Sequence, residues 1–421
     1  MVASVKTNSK QFNIQFTPKG DIYQLVWSKE RLRTAFCQVK KNKGSHGIDR
    51  ISLSQYERNL ERNIAETSRL LRERKYQPLP VKRVWIPKPD GQQRPLGIPA
   101  VRDRVVQQAL LSAIQPLFEP TFADCSYGFR PNKSAIEAVQ KVQEYLDKGY
   151  EWIFEADIED FFGQVIHNRL SAKLRERIDS RETIQLIRAF LNAGVMEEGN
   201  FKKEMSGTPQ GGVISPLLAN VYLNDFDHKI EKAGLRLARY ADDFVILCQS
   251  ENQVIYALKL ARDILASYGL KLKPAKTGIV SYYQGFEFLG YRFQKYYGNY
   301  KWPRPKAVQS FKDKIRYFTR RQQPRNINQI VPLINPIIRG WGNYFKYGNV
   351  KNRFQELDSW IRMRLRSFIE KRKWPSGLNW KYPNDHFGSL GLVYLCDLNS
   401  SPIYGQLYRR AVCGKSACTV R

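Results

Sequence analysis

The chain has 421 residues, of which 42% are hydrophobic and 13% aromatic, so it can bury at least one large core and several subdomains. Its 69 Lys and Arg residues exceed its 39 Asp and Glu residues by 30, which excludes a neutral solvated surface and indicates a polyanionic partner. Because it has neither an 18-residue apolar run nor a secretory h-region, we expect a cytoplasmic protein without a membrane partner. The six cysteines are scattered, and we expect reduced thiols.

The positive charge is concentrated towards the C-terminal end. Residues 301–421 contain 24 basic and 6 acidic residues, so 24 − 6 = 18 of the 30 net charges lie there. Aromatic side chains are interleaved with this charge, namely Trp341, Tyr344, Phe345, Tyr347 and Trp360. Phosphate neutralisation combined with base stacking is how proteins hold RNA and single strands. We therefore expect this region to bind nucleic acid, with a generic basic protein as the plainer alternative.

The first elements in chain order are helices over residues 21–80, interrupted by the Gly-rich loop "NKGSHGIDR" at 42–50. The segment "VKRVWIPKPDGQQRPLGIP" at 81–99 alternates on either side of Pro-Asp-Gly, which predicts a basic β-hairpin. Lys88 and Arg94 lie on its two arms. From spacing alone, they could face a phosphate or be ordinary solvated charges.

Helices are predicted next over 102–122 and after the Gly-Pro loop that begins at residue 125. A strand from Trp152 to Ile158 should then carry Asp157 at its end, a place where functional residues are common. A helix with Ser215 as N-cap should pack on the sheet. "ARYADDFVIL" at 238–247 predicts strand, turn and strand, with two adjacent aspartates at the tip.

Two predicted strands thus end in carboxylates within a strongly basic chain: Asp157 on one, and Asp242 and Asp243 on the other. Adjacent aspartates in a turn are common, so alone they are a weak signal. Together, such carboxylates can bridge two divalent cations that activate a hydroxyl and stabilise a leaving pyrophosphate. The combination predicts a nucleotidyltransferase or a nuclease that acts on nucleic acid.

Five separated motifs resemble, in order, those of the reverse transcriptases encoded by bacterial group II introns. They are "IPKPDGQQRPLGIP" (86–99), "SYGFRP" (126–131), "GTPQGGVISPLLANVYLND" (207–225), "YADD" (240–243) and "EFLGYRF" (287–293). A sixth segment, "IIRGWGNYFKYGNVKNRFQELDSWIRMRLR" (337–366), resembles the thumb or maturase domain of the same family. The resemblance covers the chain from about residue 25 to residue 375.

The resemblance implies an α+β, right-hand polymerase fold, with fingers and palm built from an antiparallel sheet and helices and followed by a three-helix thumb. The implied domains are an N-terminal arm (1–24), an extension of the fingers (25–80), fingers and palm (81–296), a thumb or maturase domain (305–372), and a basic tail (373–421) that could bind DNA. Residues 375–421 lack the His and Cys pattern of an HNH endonuclease, so a form without that domain is implied.

Metal-binding and catalytic roles also follow from the resemblance. Asp157, Asp242, Asp243 and the backbone carbonyl of Ile158 would bind two Mg²⁺ ions, for which Mn²⁺ could substitute. Lys276 in "LKLKPAKT" resembles the lysine that protonates the departing pyrophosphate, although a plain strand-end lysine is the simpler reading.

The dNTP site is implied in the same way. Lys88 and Arg94 would grip the triphosphate, Phe162 would exclude a 2′-hydroxyl, and Gln210 would lie against the incoming nucleotide and template. Phe288 to Tyr291 match the primer-grip turn.

One segment departs from the family. In "FFGQV" at 161–165, Gly163 replaces the aspartate that commonly follows the aromatic pair, which puts the conformation of this loop in question.

The implied function is an RNA-directed DNA polymerase that is also the maturase of its intron RNA. It would extend a DNA primer or target on intron RNA or another RNA template, and a homodimer is left open. The first alternative is a related reverse transcriptase outside an intron, in CRISPR adaptation, phage defence or repair. The second is a non-enzymatic RNA-binding splicing factor with a decayed palm, against which the intact aspartates argue.

Overall fold

A computed structural model of the chain describes residues 22–87, 91, 93–197, 200–202, 207, 211–372 and 378–399. The predicted N-terminal arm up to residue 21, Lys88, Gln210 and the tail beyond residue 399 lie outside the described residues. No described helix is both long and apolar enough to cross a membrane. The described cysteines, Cys37, Cys125, Cys248 and Cys396, are free thiols.

The described chain combines helices with strands that pair mostly antiparallel, which gives the expected α+β class. The helices are α1 (Ile22–Trp27), α2 (Lys29–Lys41), α3 (Leu53–Arg58), α4 (Leu60–Arg72), α5 (Val101–Phe118), α6 (Ala135–Asp147), α7 (Phe161–Gln164), α8 (His167–Arg175), α9 (Arg181–Leu191), α10 (Ser215–Lys232), α11 (Glu251–Ser267), α12 (Pro305–Phe318), α13 (Ile327–Phe345), α14 (Lys351–Ile369), α15 (Asn384–Ser389) and α16 (Leu395–Asn399). The strands are β1 (Val81–Pro87), β2 (Gln93–Ile98), β3 (Trp152–Asp157), β4 (Val195–Glu197), β5 (Asn200–Lys202), β6 (Arg236–Tyr240), β7 (Asp243–Cys248), β8 (Gly278–Ser281), β9 (Phe286–Phe288), β10 (Tyr291–Lys295) and β11 (Asn299–Pro303).

The described chain divides into two compact units. Of the described residues, the first unit comprises those up to Pro131, Ile158–His228 and Asp263–Lys271, and the second comprises Asn132–Asp157, Lys229–Arg262 and those from Leu272 onward. Helices α10 and α11 each contribute residues to both units.

The first unit is built from the N-terminal helices and a four-stranded sheet of order β2-β1-β4-β5. β1 and β2 form the predicted antiparallel hairpin, with Ile86 opposite Arg94. Helix α5 is buried over much of its length, since Val105, Val106 and Ala109 are 0% exposed. The apolar residues of α2 and α4 recur at helical spacing and are buried as well, which explains why this region folds as helices.

The second unit contains a four-stranded sheet of order β6-β7-β3-β8, in which neighbouring strands are antiparallel. Strand β7 reads as an unbroken apolar run after its first residue, and each of those following residues is buried. A strand buried on both faces lies in the interior of a sheet, as β7 does. A second sheet of order β11-β10-β9 follows along the chain.

Three helices, α12, α13 and α14, lie where the three-helix thumb is predicted, and residues 378–399 contact them. Asn335 on α13 exchanges hydrogen bonds with the Gly391 carbonyl and the Val393 amide, at 2.8 and 3.0 Å. Phe387 and Leu395 are 0% exposed. Residues 378–399 thus pack against the helices that precede them.

Candidate active site

The sheet of the second unit brings Asp157 and Asp243 together. β3 and β7 pair antiparallel, and the register places these two residues directly opposite each other. Opposed residues in an antiparallel pair have Cβ atoms about 4.5–5.5 Å apart, so two negative charges meet at the end of this strand pair.

A buried arginine supports the turn that carries Asp242. Ala241 has a φ of +61°, a conformation that residues with a side chain rarely adopt. Arg239 is 0% exposed, and its Nη1 donates a hydrogen bond to the Ala241 carbonyl at 2.9 Å. This contact holds the strained turn, and with it the adjacent aspartates, in place.

Lys276 supplies a cation to the pair. It ends the short 3₁₀ segment Pro274–Lys276, and its Nζ lies 2.6 Å from Oδ2 of Asp157. The Lys273 amide also donates to the Asp157 carbonyl at 2.8 Å, which fixes this segment beside β3. Burial lowers the pKa of Lys276, but the hydrogen bond and charge of Asp157 outweigh it, so the net shift is upward. Lys276 is therefore protonated.

The environment of Asp243 disfavours its charge. Burial, and then the neighbouring charge of Asp157, raise its pKa to about 7. Lys276 and Arg304 partly oppose this shift. A buried carboxylate with a raised pKa beside another carboxylate is the electrostatic setting of a site that takes up positive charge.

A cavity of about 680 Å³ opens beside these carboxylates. The carboxylates and cations in its wall are those of Glu155, Asp157, Asp243, Lys276, Glu287, Arg292 and Arg304, and the ring of Tyr344 also lines it. The cavity is more polar than apolar and is large enough for a nucleotide-sized group.

The carboxylate oxygens of this site are the ligands that a hard divalent cation prefers, but in this structure they do not surround a single point. Among the described residues, no three His, Cys, Asp or Glu side chains are grouped closely enough to hold an ion. Instead, the Lys276 ammonium takes the place of a cation on Asp157. A divalent cation that prefers oxygen ligands would bind the remaining carboxylate oxygens. It would also stabilise the charged form of Asp243, whose pKa is raised without it.

The other predicted site residues belong to the first unit or lie outside the described part. Ile158 follows Asp157 in the chain and is buried. Phe162 is 9% exposed in α7, and its ring lies 5.3 Å from that of Phe161. Arg94 is an exposed residue of β2.

The departure at Gly163 has a local explanation. A Cβ at this position would lie 2.1 Å from Oδ2 of Asp160, whose own φ is +35°. The Gly163 amide donates to the Asp160 carbonyl at 2.9 Å, which closes the turn that begins α7. The absence of a side chain at 163 therefore lets the Asp160 carboxylate fold back over the turn.

Sequence reasoning missed several groups in the cavity wall. Glu155 had a signal, since it lies two residues before Asp157 on the same strand and so on the same face. Burial raises the pKa of Glu155, although the Glu287 amide donates to its carboxylate. Arg304 had no signal, and Tyr344 was predicted only as one of the aromatic residues interleaved with basic charge, because only the tertiary fold brings the two residues to the carboxylates.

Comparison with known proteins supplies the family. Residues 86–293 match the family described as reverse transcriptase (RNA-dependent DNA polymerase). Residues 308–384 match the group II intron, maturase-specific domain. Together these matches define an RNA-directed DNA polymerase with a maturase domain.

The chain is also similar to individual proteins along part of its length. Protein YkfC of Escherichia coli (strain K12) is 34% identical over 316 residues, which cover 64% of this chain and 82% of that protein. The group II intron-encoded protein LtrA of Lactococcus lactis subsp. cremoris is 36% identical over 180 residues, 42% of this chain but 30% of LtrA. Among solved structures, a chain of the "Partial Cas6-RT-Cas1--Cas2 complex" is 25% identical, with a TM-score of 0.39, over 59% of this chain and 44% of that one.

The chain therefore belongs to the reverse transcriptase and maturase family of group II introns. This confirms the family that the sequence motifs predicted. Members of this class use nucleotides as substrates and divalent metal ions in catalysis.

Proposed function

We propose that the protein extends a DNA primer by adding dNTPs on an RNA template, and that it binds its own intron RNA to promote splicing and mobility. The observation that carries the proposal is the pairing of Asp157 with Asp243 beside a protonated Lys276, in a cavity of nucleotide size. The matched maturase-specific domain and the basic excess after residue 300 support the RNA partner.

In this proposal Asp157, Asp242 and Asp243, with the carbonyl of Ile158, hold two Mg²⁺ ions, and Mn²⁺ can substitute. Bound ions would lower the pKa of the primer hydroxyl and neutralise charge on the leaving pyrophosphate. The raised pKa of Asp243 supports the assignment. A bound cation would offset both the desolvation that burial imposes on the carboxylate and its repulsion by Asp157.

Lys276 is proposed as the general acid. Its raised pKa keeps the ammonium charged in the resting site, where it neutralises Asp157. With a metal ion held by Asp157, the ammonium would be free to donate its proton to the pyrophosphate oxygen as the bond between that oxygen and the α-phosphorus breaks.

The remaining assignments rest on the family motifs. Lys88 and Arg94 would hold the triphosphate, and Gln210 would contact the incoming nucleotide. Phe162 would exclude the 2′-hydroxyl, and its burial against Phe161 supports a fixed ring. The domain limits at residues 80, 296 and 305 and a DNA-binding role for residues 373–421 are proposed on the same basis. A cytoplasmic location is proposed because the sequence has no 18-residue apolar run.

Primer extension tests the polymerase. Purified protein is given a DNA primer on an RNA template with dNTPs and Mg²⁺, with and without EDTA, and the Asp242→Ala/Asp243→Ala variant is run beside it. We expect extension by the wild type that EDTA and the double substitution each abolish. A matched control, Glu251→Ala/Asp263→Ala, removes two exposed carboxylates of α11 and should extend normally. Extension by the double aspartate variant would contradict the proposal.

Splicing of the intron RNA tests the maturase separately. The Asp242→Ala/Asp243→Ala variant should still accelerate splicing in vitro, because the maturase-specific match begins at residue 308. A folded wild-type protein that extends primers but neither binds nor splices the RNA would restrict the function to polymerisation.

A further inference from the structure

The turn between β9 and β10 is strained. Leu289 has a φ of +48° and Gly290 a φ of +83°. The left-handed region suits glycine but is unfavourable for leucine, because its Cβ crowds the backbone. Such a conformation persists only when the surrounding structure holds it in place.

Helix α13 supplies that restraint. The Tyr344 hydroxyl donates a hydrogen bond to the Leu289 carbonyl at 2.7 Å. In return, the Tyr291 hydroxyl donates to the Tyr344 carbonyl. The Tyr291 and Tyr344 rings lie 5.6 Å apart, so this exchange is supported by packing.

A further hydrogen bond fixes the second residue of the turn. The Arg304 amide donates to the Gly290 carbonyl at 2.9 Å. A Cβ on Gly290 would already touch the Phe345 ring, at 3.6 Å. Both carbonyls of the turn therefore have donors from residues that follow β11 in the chain.

The Tyr344 hydroxyl is suited to this task. Burial raises its pKa to about 12, so it keeps its proton and remains a donor at any working pH. Its ring lines the same cavity as Asp157, Asp243 and Leu289. A shift of Tyr344 would therefore move the turn within the wall of that cavity.

We infer that Tyr344 is a positioning residue, which sets the primer 3′ end against the carboxylates by holding the turn from Phe288 to Tyr291. The inference rests on the proposed polymerase function, in which this turn grips the primer. It also connects the two matched families, since Leu289 lies in the reverse transcriptase match and Tyr344 in the maturase-specific match.

Positioning differs from two simpler roles. If Tyr344 only contacted nucleic acid, its loss would weaken primer–template affinity. If it only stabilised the fold, its loss would lower the melting temperature without slowing the folded enzyme. A misplaced primer end instead slows nucleotide addition when primer and template are saturating, because a reacting atom displaced by about 1 Å can cost as much as 100-fold in rate.

Tyr344→Phe removes the one hydroxyl and keeps the ring. The matched control is Tyr394→Phe, which also deletes a tyrosine hydroxyl bonded to a backbone carbonyl, that of Asn384 at 2.8 Å. For both variants we would measure the single-turnover rate of first-nucleotide addition, the primer–template Kd by fluorescence anisotropy, and the melting temperature.

We expect Tyr344→Phe to slow addition about tenfold at saturating primer–template, with Kd within about twofold of the wild type. Tyr394→Phe should keep the wild-type rate. An unchanged rate for Tyr344→Phe, an equal loss in the control, or a change confined to Kd would each overturn the inference. If the folded wild type itself fails to extend, the proposed function fails first, so the two failures are distinguishable.

Tyr291→Phe provides a second route to the same contact, because it removes the hydroxyl that binds the Tyr344 carbonyl. If both bonds hold one turn, the double variant should lose less rate than the product of the two single losses. Strictly multiplicative losses would show two independent effects and contradict a shared restraint.

Discussion

Asp157 and Asp243 face each other across the β3–β7 pair, and the backbone register alone fixes that opposition. Two like charges directly opposed on a sheet destabilise it. Lys276 neutralises one of them, while burial and Asp157 raise the pKa of the other to about 7. This end of the strand pair therefore carries an unfavourable charge repulsion at the position where we propose that a metal ion binds.

Asp243→Asn should therefore stabilise the protein while abolishing nucleotide addition. Removing the opposed charge is expected to raise the free energy of unfolding by roughly 1 kcal/mol, since the amide keeps the shape of the side chain. Urea denaturation and primer extension measure the two effects. A destabilised variant that still extends primers would contradict both the proposal that the Asp243 charge destabilises the sheet and the proposal that Asp243 binds a metal ion.

Two substitutions at Lys276 distinguish the effect of its positive charge from its ability to donate a proton. Lys276→Ala should slow addition by roughly 100-fold, the usual scale of general acid catalysis. Lys276→Arg keeps a cation near Asp157, but a guanidinium does not give up its proton. We expect the arginine variant to be nearly as slow as the alanine variant, and Lys259→Ala, on the exposed face of α11, to be normal. Full activity with arginine would assign Lys276 an electrostatic role only.

The elements that carry the carboxylates could be predicted because their signals are local. Strand, turn and strand around Asp242 follow from an apolar run broken by two aspartates, and β6 and β7 lie where that pattern places them. Pro-Asp-Gly between alternating segments likewise predicted the β1–β2 hairpin. In both cases the residues that decide the structure are neighbours in sequence.

The rest of the site depends on contacts between residues far apart in the chain. The Tyr344 hydroxyl reaches the Leu289 carbonyl across 55 residues, and the Tyr291 hydroxyl reaches the Tyr344 carbonyl across 53. No spacing in the sequence indicates either contact. Residues 378–399 were predicted only as part of a basic tail for the same reason, because their apolar residues find their packing partners on α13 and α14, far back in the chain.

Because of Lys301, the free energy of unfolding should rise with pH in the alkaline range. It is 5% exposed in β11, and burial lowers its pKa from 10.5 to about 8, with Asp147 opposing the shift. Between pH 8 and 10.5 the unfolded chain binds a proton that the folded protein does not, so stability should rise with pH across this window. At pH 7 the folded protein bears the cost of a buried ammonium.

Lys301→Met tests how much the buried ammonium destabilises the folded protein. We expect the free energy of unfolding at pH 7 to rise by roughly 1–3 kcal/mol, and the increase between pH 8 and 10 to disappear, because methionine has no proton to lose. Lys306→Met, on an exposed residue of α12, should leave the alkaline increase in place. Wild-type stability that does not rise above pH 8 would show that Lys301 titrates normally.

Asp358 should hold the chain after residue 378 onto α14. Its carboxylate accepts hydrogen bonds from the Leu395 and Cys396 amides, at 2.9 and 3.0 Å, at the start of α16. Asp358 itself is 3% exposed, so its loss leaves the buried Leu395 amide and the half-buried Cys396 amide without acceptors. Asp358→Ala should therefore lower the free energy of unfolding by roughly 2 kcal/mol. In this variant, those two amides should exchange their hydrogens much faster than the backbone amides of the sheet do.

The exposed Asp385→Ala is the control, since it removes an acid of the same segment without uncovering a buried donor. We expect its stability and exchange to match the wild type. Because α14 lies within the maturase-specific match, Asp358→Ala should also weaken RNA binding while leaving nucleotide addition at saturating primer–template intact. Slow exchange at residues 395 and 396 in Asp358→Ala would mean that apolar packing of Phe387 and Leu395, rather than the buried carboxylate, holds this segment in place.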